Sequence, residues 1–115
     1  LATVVSTAVP GQAVIDAGSK ALGREPLPAG DPAGYGCLLD RPDVRVTRMS
    51  EEHGILDLGA TAWRPALGDV VRVIPNHVCV VVHLNDVIHG VRGELVETTW
   101  PVSARGRGAV REGAG

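Results

Sequence analysis

The chain has 115 residues, enough for one small domain that buries roughly 65% of its unfolded surface around a single core without staples. Eleven basic residues against thirteen acidic ones give a formal net charge of −2, with no basic stripe and no acidic block, so nucleic acid is not an expected partner. No apolar run approaches the ~20 residues of a membrane span, and with no Phe, one Tyr and two Trp the core falls to Val, Leu, Ile and Ala, which leans towards strand.

In chain order, Ala2 to Val9 predicts a strand stopped by Pro10-Gly11, and Ala13 to Ile15 a second one running into Asp16-Ala17-Gly18. Ser19 to Leu22 has room for one helical turn. Arg24 to Gly36 holds three of the eight prolines and three glycines and reads as a long loop, a feature that in a compact domain is usually functional. Val44 to Met49, Ile55 to Leu58, Val70 to Ile74, Val78 to Leu84, Val87 to Val91 and Leu95 to Val102 each read as strands, the last three as a meander. The expected fold is mainly β: a small barrel or sandwich-like domain of short strands with one or two helical turns, filling residues 1–115 as a single domain.

The opening LATVVSTAV has neither a basic n-region nor a small-residue cleavage site. A start at Leu1 suggests an excised fragment. Cys37 and Cys79 come without a glycosylation sequon or a dense cysteine framework, so both are expected to be reduced thiols of a cytoplasmic protein.

The stretch Val73-Ile-Pro-Asn-His-Val-Cys79 carries the most chemistry. As a strand, Val78, Val80, Val82 and Leu84 would form an apolar core face, and His77, Cys79, Val81 and His83 would point outward. Residues i and i+2 stand about 7 Å apart at the base, a gap that a metal ~2.0 Å from an imidazole and ~2.3 Å from a thiolate bridges. One nitrogen and one sulfur ligand suit Zn²⁺ and leave positions open for water or substrate. On a strand His83 would lie about 13 Å from Cys79, too far for a third ligand; His89, Cys37 and His53 would need the fold to bring them near. An ordinary pair at a strand edge and a Cys–His nucleophile pair remain open readings of the same residues.

Ser50-Glu51-Glu52-His53-Gly54 offers Glu52 and His53 as acid/base groups beside a site, or else is a polar turn whose Gly54 permits positive φ. Lys20, the sole lysine, lies in no phosphate cradle and reads as solvated or ion-paired. Trp100 reads as a packing anchor, and Arg105 as a contact for an anion or a neighbouring domain.

Taken in order, VIDAGSKAL, SEEHG, GDVVRVIPNHVC and the closing W and ARGR resemble the C-terminal domain of the metal-activated, fold-type III pyridoxal-phosphate enzymes, D-serine dehydratase and D-threonine aldolase. The resemblance runs from about Leu1 to Arg107. It implies a zinc (or manganese) site on His77 and Cys79; His53 and Glu52 are candidates to stand behind those ligands or on the substrate side. The ion would activate the β-hydroxyl of a D-amino acid. It also implies that pyridoxal phosphate sits on a lysine of an N-terminal (β/α)₈ barrel absent from this sequence, so that Lys20 is not the Schiff-base lysine. No catalytic residue is then expected within this chain alone, which would be inert until joined to its barrel, in an enzyme expected to be a homodimer. The rival is an autonomous β-domain that binds a ligand or a protein without catalysis.

Overall fold

The computed structural model describes residues 1–27 and 34–107. Among them are nine strands and two short helices: β1 (Ala2–Ser6), β2 (Gln12–Ile15), α1 (Ser19–Leu22), β3 (Gly36–Leu38), β4 (Arg45–Met49), β5 (Gly54–Asp57), β6 (Val70–Val71), β7 (Val73–Pro75), α2 (Cys79–His83), β8 (Val87–Arg92) and β9 (Leu95–Pro101). Seven strands form one antiparallel sheet in the order β6-β1-β2-β5-β4-β3-β7. Its two edge strands, β6 and β7, are separated in sequence by Arg72 alone, so the sheet has curled until its edges meet in a nearly closed barrel.

Alternation fills the interior. Ala2 and Val4 of β1, Ala13 and Ile15 of β2, Leu38, Val46, Leu56 and Val71 all point inward and are buried, and their neighbours along each strand face out. Small aliphatic side chains suit so narrow a barrel, which explains how a chain without Phe still closes a core. Among the described residues, every buried hydrophobic lies between Ala2 and Val71.

The expected mainly β, barrel-like class is the observed one, and several strands fall within a residue or two of the sequence reading. Strand β1 stops early because Gln12 N donates to Val9 O (3.3 Å), folding residues 9–12 into a turn. The stretch read as a loop from Arg24 to Gly36 ends in a strand: β3 pairs with both β4 and β7, while residues 28–33 lie outside the described set. The strand expected from Val70 to Ile74 is split at Arg72, where the chain passes from one sheet edge to the other.

One expectation is overturned. Val78 to Leu84 is not a strand: Cys79–His83 is a helical turn, with Val82 N donating to Val78 O and Leu84 N to Val80 O, both 2.9 Å. The Asn85 carboxamide donates to Val81 O (2.7 Å), and Arg105 Nε to His83 O (3.1 Å), so side chains satisfy carbonyls at its end. These bonds override the strand propensity of a valine-rich run. The supposed core face is exposed, Val78 at 59% and Val80 at 39%. The meander therefore reduces to one hairpin, β8–β9, which forms its own two-stranded sheet.

Because the core ends at Val71, stability should divide between barrel and hairpin. Leu56→Ala, at a fully buried position, is expected to lower unfolding stability by about 2–5 kcal/mol. Val91→Ala, on the exposed hairpin, should stay within about 0.5 kcal/mol, as read from urea unfolding midpoints.

Candidate functional site

Strand β7 leaves the barrel at Pro75, and the next four residues carry the candidate ligands out of the sheet. His77 sits in the connection and Cys79 opens α2; both are exposed. Neither side chain has a hydrogen bond or ion pair within the described residues, so both keep their lone pairs for a ligand. The pair does not share a strand face as the alternation implied; a bend and the first turn of α2 bring it to the barrel mouth. On a helix Cys79 and His83 are four residues apart and share a face, so the strand-distance reason for excluding His83 no longer holds. Even so, among the described residues no three His, Cys, Asp or Glu side chains converge on a metal-sized site. Cys37 is half-buried in β3 and, like Cys79, free. His89 is engaged by the Thr99 hydroxyl at 2.8 Å.

The second cluster stands on the connection between β4 and β5. Ser50 N donates to His53 O (2.9 Å), and His53 N donates to Ser50 Oγ (3.3 Å), making a tight turn. Gly54 is not at positive φ, contrary to expectation; it is needed because a Cβ there would stand 2.6 Å from Ala17 O. Gly18 is pressed harder, since its Cβ would fall 2.4 Å from Ser50 O and 2.6 Å from Glu51 O. With Ser19 N on Ser50 O (2.9 Å) and Lys20 N on Glu51 O (3.1 Å), this close approach docks α1 onto the turn. Sequence spacing does not reveal that contact.

Lys20 Nζ binds Glu52 Oε1 at 2.6 Å, which makes it the ion-paired lysine that its lack of a phosphate cradle implied. The hydrogen bond from Lys20, and then its charge, hold the Glu52 carboxyl below the usual carboxylate range. Glu52 thus stays ionised at neutral pH and is a poor proton donor. Arg24, at the exit of α1, donates to Met49 O (3.4 Å), lies 5.9 Å from the Tyr35 ring, and lines a shallow recess with Glu51, Glu52 and His53. Helix α1 also packs against α2, so the Glu52–His53 turn and the Cys79 helix are reached from one short element.

Beyond α2, Arg105 binds Asp86 (2.5 Å) and His83 O, fixing the hairpin base to the helix instead of taking up an anion. Trp100 lies over Gly90 on one hairpin face but is 54% exposed, so it anchors the hairpin and not the core. On the other face Val87, Val91 and Val96, with Val81 and Val82 of α2, line a largely apolar cleft of about 640 Å³. No short motif announces this cleft.

The profile of the putative serine dehydratase domain matches residues 1–91. The chain belongs to this family. This serine dehydratase-family domain is 38% identical over 106 residues to a D-threonine aldolase of an Arthrobacter species, a match covering 92% of this chain and 26% of that one. The crystal structure of D-threonine aldolase from Filomicrobium marinum superposes with a TM-score of 0.74 at 40% identity, covering 92% of this chain and 27% of that one. A D-threo-3-hydroxyaspartate dehydratase with one cysteine replaced by alanine, in the metal-free form, matches at TM-score 0.67 and 26% identity over 87% of this chain and 30% of its own. A histidine-to-alanine variant of a dehydratase of the same name matches at TM-score 0.62 and 25% identity, over 87% of this chain and 29% of its own. By their numbering the replaced histidine and cysteine form a His-x-Cys pair. The domain spans about a quarter of the length of the D-threonine aldolases that it matches. No helix among its described residues is long and apolar enough to cross a membrane.

The Lys20–Glu52 pair sets a pH dependence. A carboxyl whose folded pKa is lowered stabilises the fold fully above its unfolded pKa and loses that contribution as pH falls through the folded value. The urea midpoint should therefore decline on acidification below the ordinary carboxylate range. Glu52→Gln should flatten part of that decline at low ionic strength and change little in high salt, where an exposed pair is screened.

Proposed function

We propose that this domain contributes His77 and Cys79 to a divalent metal site, zinc or manganese, of a pyridoxal-phosphate-dependent D-amino acid dehydratase or aldolase. The observation that carries this reading is that His77 and Cys79 are both exposed and unengaged at the barrel mouth, in the same His-x-Cys order as the two residues replaced in the dehydratase variants. The donors fit the group: a neutral imidazole and a thiolate form a nitrogen–sulfur set that suits zinc.

A divalent ion so held supplies Lewis acidity to a substrate β-hydroxyl. The domain's own residues do the rest from one end of the barrel. Cys79 would hold the ion through its thiolate sulfur and His77 through a ring nitrogen. With two ligands from the described residues, the remaining positions would be left to water, substrate or a residue of another domain. Glu52, kept ionised by Lys20, presents a fixed negative charge beside His53 on the substrate side. Lys20 is occupied by that pair and forms no Schiff base.

The cofactor then belongs to an N-terminal (β/α)₈ barrel outside residues 1–115, and two features support a partner domain there. The domain spans about a quarter of the aldolases it matches. Its apolar residues beyond Val71 also lie open: Val87 and Ile88 of β8, and Leu95, Val96 and Trp100 of β9, are 40% exposed or more. The isolated domain is inert on this reading.

In the full-length protein, His77→Ala and Cys79→Ala should each cut metal-dependent turnover by on the order of a hundredfold or more and leave the cofactor absorbance intact. Full activity of both variants after chelation would defeat the proposal and favour a β-domain that binds a partner without catalysis.

A further inference from the structure

The side chain next to the ligand pair does something that the metal reading leaves unassigned. Asn76 follows Pro75 at the exit of β7 and is half-buried. Its Nδ2 donates to Gly34 O at 2.7 Å and to Glu25 O at 3.0 Å, so both amide protons are used. Its backbone N donates to Tyr35 O at 3.3 Å. The two carbonyls stand at opposite ends of the connection from α1 to β3. One carboxamide therefore ties the exit of α1, the start of β3 and the residue before His77 into a single junction.

His77 and Cys79 have no side-chain partners of their own within the described residues, so nothing holds them directly. Their positions depend on the backbone entering residue 77. Asn76 is the last fixed point on that backbone before α2. Its anchors are themselves tethered: Tyr35 N donates to Val46 O at 2.8 Å, and Arg24, next to Glu25, bonds Met49 O. Strand β4 thus holds the junction from two sides.

Resting on the metal reading above, we infer that Asn76 is a positioning residue: its carboxamide sets the backbone from which His77 and Cys79 reach a common ion. Leucine at this position keeps the size and shape, removes both donors, leaves two carbonyls without their partner, and adds no group that binds metal.

The test uses the full-length protein, stripped of its metal, and Co²⁺ as the probe, following the thiolate-to-cobalt absorption that Cys79→Ala must abolish. Asn76→Leu is expected to weaken cobalt binding about tenfold or more and to change the intensity of the cobalt bands. Val4→Ala, a buried change in β1 that also lowers stability, is expected to keep wild-type affinity and spectrum. If Asn76→Leu does not fold, Asn76→Ala takes its place, with the same expectation. Wild-type cobalt affinity and spectrum in a folded Asn76 variant would overturn the inference and leave the metal reading standing. An equal loss in Val4→Ala would overturn it too, because general destabilisation would then account for the effect. Absence of any Cys79-dependent band in the wild type would remove the metal reading and this inference together.

Discussion

The whole arrangement depends on the near-closure of the seven-stranded sheet at Arg72. A sheet whose first and last strands are consecutive in sequence must bend through almost a full circle to bring them side by side. The seam is held by backbone and charge together: Leu39 N donates to Arg72 O (2.9 Å), and the Arg72 guanidinium grips the Asp40 carboxylate beside β3. That hydrogen bond, ahead of the charge, lowers the Asp40 pKa and raises that of Arg72. Once closed, the barrel has no choice about where β7 ends. Pro75 and its successors emerge at the mouth, next to α1, and every candidate ligand follows from that exit.

Much of the barrel could be read from period-two alternation, because Val44 to Met49 and Ile55 to Leu58 are short, β-branched and buried on one face. The same rule failed at Val78 to Leu84, where composition speaks for a strand and the hydrogen bonds make a helix. Two signals there were weak in the sequence: Asn85, whose carboxamide closes the last turn on Val81 O, and Arg105, which reaches back across the hairpin to His83 O. The second lies 22 residues away, beyond any local reading. Strand β3 was missed for a related reason. Gly36-Cys37-Leu38 is too short for periodicity to register, and becomes a strand because β4 and β7 flank it.

The candidate ligands fared differently from the structure assigned to them. His77 and Cys79 stood out by residue type and by family resemblance, and both are exposed and free, but the strand geometry that seemed to explain their exposure is absent. They are exposed because the chain has left the barrel. The Glu52–His53 turn was visible as a motif, whereas its docking on α1 through Gly18 was not, since a close backbone approach leaves only a glycine in the sequence. Asn76 lay hidden between two more conspicuous neighbours.

The distribution of apolar surface bears on why the proposed metal ligands lie where they do. Among the described residues every buried hydrophobic precedes residue 72, and the segment from α2 to β9 leaves most of its valines and Trp100 open to water. A two-stranded hairpin gains little stability alone, and an open apolar face of this kind marks an interaction surface. The hairpin base is pinned to α2 through Arg105, so whatever covers the hairpin also fixes the helix that begins with Cys79. On the barrel side, Asn76 holds His77. The two proposed ligands therefore have different supports: His77 follows the β-barrel, and Cys79 opens a helix tied to the hairpin. A metal bridging them would tie the barrel to the helix, so on the proposed reading its affinity depends on both supports.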